Sequence, residues 1–83
     1  MMNDPAGIFN GILETAMRVS TENERIRSIF ERSGVILNDD MTVKEIEGDP
    51  MNTLSVLMSN LSEMAVVKIS AKQVIRQAGI TLK

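Results

Sequence analysis

The chain has no histidine, cysteine, tryptophan or tyrosine. Without histidine it lacks the side chain that most often moves protons near neutral pH. Without cysteine it can build neither a disulfide framework nor a thiolate metal site, although that absence assigns no redox compartment. Aromatic residues are 2% of the total, and Phe9 and Phe30 are the only rings. No apolar run approaches the length of a membrane span. No phosphate-binding glycine motif occurs, neither Gly-Lys-Ser/Thr nor G-x-G-x-x-G. These absences leave no catalytic residue, metal ligand or cofactor site to name, and the expectation is a protein that is not an enzyme.

What remains is aliphatic and charged. Eighty-three residues, 43% of them apolar, make one domain with a core of Ile, Leu, Val, Met and Ala. A chain this short buries only about two thirds of the surface its unfolded form exposes, so its aliphatic content makes a homo-oligomer or a protein partner a reasonable expectation. The net charge of −2 argues against coating nucleic acid by charge alone. Its distribution is uneven. Asp39, Asp40, Glu45, Glu47 and Asp49 crowd the middle, whereas Lys68, Lys72, Arg76 and Lys83 follow Met64 with no anion among them. The amino-terminal residues do not follow the plan of a secretory signal, which makes the cytoplasm the default expectation, with no membrane partner.

Helix signals recur along the chain. Asp4-Pro5 reads as an N-cap followed by a first-turn proline. Ile8, Phe9, Ile12, Leu13, Ala16 and Met17 then make an apolar stripe to about Ser20. Thr21 and Glu24 have capping-box spacing for a second helix that carries Ile26, Ile29 and Phe30 and stops at Gly34. The alternative is one long helix, because Phe9 to Phe30 also fits a heptad register with Asn23 on its seam. Val35-Ile36-Leu37 allows a brief strand before the turn residues Asn38-Asp39-Asp40. Thr42, Glu45 and Gly48 suggest a single helical turn at about Val43 to Glu47. Asp49-Pro50 starts a third helix, with Met51, Leu54, Leu57, Met58, Leu61, Met64 and Ala65 on one face, expected to reach about Val66. Ser70 and Gln73 open a fourth, which ends at Gly79.

An offset of forty-five residues matches Asp4-Pro5 with Asp49-Pro50, Gly34 with Gly79 and Leu37 with Leu82. The apolar positions of the intervening helices match as well, but Thr21 to Arg27 does not match Val66 to Lys72. The fold expected is therefore all-α: a small bundle of four main helices in two antiparallel hairpins, 4–37 and 49–82, joined by an acidic linker at 38–48, with a pseudo-twofold internal repeat.

Candidate sites are few. Asn38 to Asp49 has the length of a calcium loop but places Val43 where that loop requires glycine, so it reads as a solvated connection. Val74-Ile75-Arg76-Gln77-Ala78-Gly79-Ile80-Thr81 resembles the first helix and turn of a helix-turn-helix domain. With only Leu82 and Lys83 following Thr81, no recognition helix is expected here. Lys68, Lys72 and Arg76 stand at steps of four and, with Lys83, make the nucleic-acid-binding alternative, which dimerisation would complete. The favoured expectation is a small adaptor, assembly factor or regulatory subunit. Gly7 and Gly11 would permit close approach of another backbone, and Met51 and Met64 would edge a soft apolar face for a partner.

Overall fold

The computed structural model describes residues 5–80. The element order is α1 (Pro5–Val19), α2 (Asn23–Arg32), β1 (Val35–Leu37), β2 (Val43–Ile46), α3 (Pro50–Asn60), a 3-10 turn (Leu61–Glu63) and α4 (Ala65–Gln77). The cap expected at Asp4, the matching Leu82 and the cation Lys83 lie outside the described residues. Among those described, no helix is long and apolar enough to cross a membrane.

The all-α expectation is corrected by an antiparallel β-hairpin in place of the acidic linker. Val35 pairs with Ile46, Ile36 with Glu45 and Leu37 with Val43, and the register shifts between Ile36 and Leu37. An isolated helical turn at Val43–Glu47 would have fixed several residues for one backbone bond. Pairing with the apolar run before it satisfies more backbone groups. Thr42, expected to cap that turn, is held in the hairpin loop instead: its hydroxyl donates to Asp40 and accepts from the Asn38 side-chain amide. Met41 takes a left-handed φ of 64° there. The hairpin is tied down beside its loop from two helices. The Val43 N–H donates to Asn10 Oδ1 on α1 at 2.8 Å, and Arg27 of α2 donates to the Asn38 carbonyl at 2.9 Å.

The helix boundaries also move. α1 and α2 are separate, but without the Thr21–Glu24 capping box; the Glu22 N–H donates to Ser20 Oγ at 3.2 Å. α3 starts as expected, with the Asn52 N–H donating to the Asp49 carboxylate at 3.0 Å and Pro50 in the first turn. It stops at Asn60 rather than Val66, for a reason of phase. Continuing the helix past Leu61 would carry Lys68 and Lys72 onto the buried stripe, since seven and eleven residues are close to whole numbers of turns. The 3-10 turn resets the phase, so that Val67, Ala71 and Ile75 face inward.

The two halves share their ends. α2 and α4 stop with equivalent backbone bonds, Ser33 to Ile29 and Gly34 to Glu31 matching Ala78 to Val74 and Gly79 to Arg76. Their interiors differ, because α1 is continuous where α3 breaks and α4 begins earlier than α2. With the hairpin present as well, a pseudo-twofold pair of helical hairpins does not describe the molecule.

One core joins all elements. It is built from Phe9, Ile12, Leu13 and Ala16 of α1, Ile26, Ile29 and Phe30 of α2, Val35 and Leu37 of β1, Leu54, Leu57 and Met58 of α3, and Leu61, Met64, Val67, Ala71 and Ile75 beyond it. α1 is the hub, packed mainly on α4 and also on α2 and β2, while β1 packs on α2. Arg25 and Arg32 of α2 both reach Glu63 in the 3-10 turn, at 3.8 and 3.0 Å.

Candidate functional site

Most of the apolar surface that suggested a partner is used inside the chain. Met64 is only 8% exposed and belongs to the core. Met51 is half-buried and Gly7 lies on an exposed part of α1. Gly11 faces α4: a Cβ built there would lie 3.3 Å from Val74 Cγ1, so the close approach it permits is made within the molecule. Among the described residues, the large apolar side chains left exposed are Val19, Val56, Val66 and Ile69, with Val66 and Ile69 the most open at 61% and 60%.

The basic ridge, by contrast, lines a groove. α3 and α4 diverge from the 3-10 turn and leave a depression of about 740 Å³ between them. Ser55 and Ser59 of α3 and Ser62 of the turn stand on one side, and Lys68, Lys72 and Arg76 of α4 on the other. Met58 and Ile75, both mostly buried, make its floor with the half-buried Ile80. Among the described residues, no carboxylate lines it. At its inner end Lys68 Nζ donates to Ser62 Oγ at 2.7 Å; Lys72 and Arg76 stand exposed at the rim.

The ion pairs make the contrast sharper. Each arginine of α1 and α2 lies within 4.0 Å of a carboxylate: Arg18 with Glu14, Arg25 with Glu22 and Glu63, Arg27 with Glu31, Arg32 with Glu63. Among the described residues, none of the three α4 cations has such a partner. Like charges one helical turn apart on a helix surface repel by a few tenths of a kcal/mol. The ridge thus carries a small unfavourable term that an anionic partner would relieve.

Sequence reading found the cations but missed the wall that faces them. Ser55, Ser59 and Ser62 also follow helical steps of four and three, beside the stripe of Leu54 and Met58, and that spacing was available. The bend that turns the two rows toward one groove was not. No family model, characterised protein or solved structure matches the chain.

Proposed function

We propose that this is a small non-enzymatic interaction protein that docks another macromolecule in the groove between α3 and α4. The observation that carries the reading is the row Lys68, Lys72 and Arg76 along a groove with an apolar floor and, among the described residues, no carboxylate. Directional positive charge favours an anionic partner, and the half-buried Ile80, with the small exposed parts of Met58 and Ile75, offers it an apolar strip to desolvate. The absence of histidine and cysteine from the sequence supports a role without catalysis.

A photo-crosslinking residue at Ser59 tests it, with one at Glu24, which does not line the groove, as control. Ser59 should capture a discrete macromolecule that Glu24 does not, and Lys72→Glu with Arg76→Glu should abolish the capture. Equal capture from both positions, or none, refutes the reading. Sedimentation of the captured species separates a second copy of the chain from a different partner.

A nucleic-acid-binding role is the second reading, favoured by the alignment of the same three cations. It predicts retention of duplex DNA at about 50 mM salt with a steep salt dependence. The acidic net charge and the apolar floor weigh against it.

A further inference from the structure

We infer that the groove's occupant is an acidic amphipathic helix of a protein partner, an assignment that rests on the groove being the docking site. Three features converge on it. The first is spacing. From Lys68 to Arg76 is a rise of eight residues, about 12 Å or two turns of helix, so carboxylates repeating every three or four residues on a helix laid alongside would meet all three cations.

The second is the floor. Met58, Ile75 and Ile80 lie between the basic row and the serines. A partner helix brings apolar side chains at steps of three and four to that strip, and methionine reshapes itself to receive them. A sugar–phosphate backbone has no apolar ridge to place there, and its charges would leave the floor wet. The third is the facing wall: Ser55 and Ser59 are exposed hydroxyls that donate to or accept from polar side chains on the partner's other edge without demanding a charge. The depression, at about 740 Å³, is of the size that holds a drug-sized molecule, so it takes several side chains rather than a whole helix. The partner therefore lies across the mouth and inserts its apolar face.

The test is a titration of the intact, ¹⁵N-labelled chain followed by NMR. The probes are a peptide of about eighteen residues with leucines at helical steps and glutamates along one edge, the same composition scrambled, the same pattern with lysine for glutamate, and a duplex DNA of about twenty base pairs. The acidic amphipathic peptide alone should move the amides of Ser55, Ser59, Lys72 and Ile75. Its affinity should fall at least about tenfold between about 50 and 300 mM salt, as expected for exposed charges. Lys72→Glu with Arg76→Glu should lower it at least about tenfold, whereas Lys44→Glu, away from the groove, should leave it unchanged. Equal binding by the scrambled peptide overturns the amphipathic assignment. Groove shifts with DNA and not with the peptide overturn the partner class while keeping the groove as a docking site. Groove shifts that appear on concentrating the protein alone replace the partner with a second copy. If no probe moves the groove amides, the docking reading falls together with the inference.

Discussion

Replacing Gly11 by alanine separates two explanations of a glycine in mid-helix. Glycine costs a helix interior about 1 kcal/mol relative to alanine, so Gly11→Ala on a free face of α1 would stabilise the protein by about that amount. Here the added methyl would sit 3.3 Å from Val74 Cγ1, closer than ordinary packing, and Val74 would have to give way. Val74 is half-buried and has some room to turn. The close contact should cancel most of the propensity gain, leaving Gly11→Ala within about 0.5 kcal/mol of the parent, since packed neighbours couple by amounts of this order. In a Val74→Ala background the obstacle is gone, and the same change should stabilise by about 1 kcal/mol. Gly11→Val, with two further methyls, should cost about 1–3 kcal/mol through overpacking. Urea unfolding followed by far-ultraviolet circular dichroism measures all four variants with Val74→Ala. If Gly11→Ala gains the full increment in both backgrounds, the α1–α4 contact described here is wrong. If it instead shifts a dimer to monomer in sedimentation, the glycine serves association between chains.

Three other substitutions probe the joints of the fold. Asp49→Ala removes the carboxylate that accepts the Asn52 N–H and should cost about 1 kcal/mol in urea unfolding, with Asp49→Asn recovering most of it. Gly34→Ala forces a side chain into φ of 100°, where the carbonyl must still accept the Glu47 N–H, and should cost about 1–3 kcal/mol; a neutral result refutes the turn geometry. Asn10→Ala strips the acceptor from the Val43 N–H and should cost about 1 kcal/mol. Hydrogen exchange at Val43 should speed up while that at Leu54 stays slow; equal acceleration at both contradicts a local anchor.

The sequence made the amphipathic helices readable because their periodicity is strong, and Asp49-Pro50 opens α3 as expected; α2 and α4 start without a side-chain cap, and Ser70, expected to open the fourth helix, lies inside α4. Gly34 and Gly79 end their helices with the left-handed φ values, 100° and 75°, that their residue type suggested. The hairpin was half legible. Val35-Ile36-Leu37 carried a strand signal, but Val43-Lys44-Glu45-Ile46 has its apolar residues three apart, a helical spacing, and its partner strand decided the matter. The break after Asn60 was readable in principle from Lys68 and Lys72, which an unbroken helix would have buried. The roles expected of Gly11 and Met64 turned on a question sequence alone does not answer, namely whether the neighbouring surface belongs to this molecule or another. In the fold that neighbour is Val74 for Gly11 and the shared core for Met64. The basic ridge was visible as spacing, but its serine wall needed the bend.

The hairpin's crowd of carboxylates has a consequence for solubility. A two-stranded sheet has two outer rims, each a template on which a foreign strand can add. Here the strands are three and four residues long, and exposed Asp39, Asp40, Glu45 and Glu47 sit on or beside them, so an incoming strand finds little length and a field of like charge. Converting these four acids to amides would leave the fold's own pairing in place while removing that guard, and fibrous aggregation should begin from this edge.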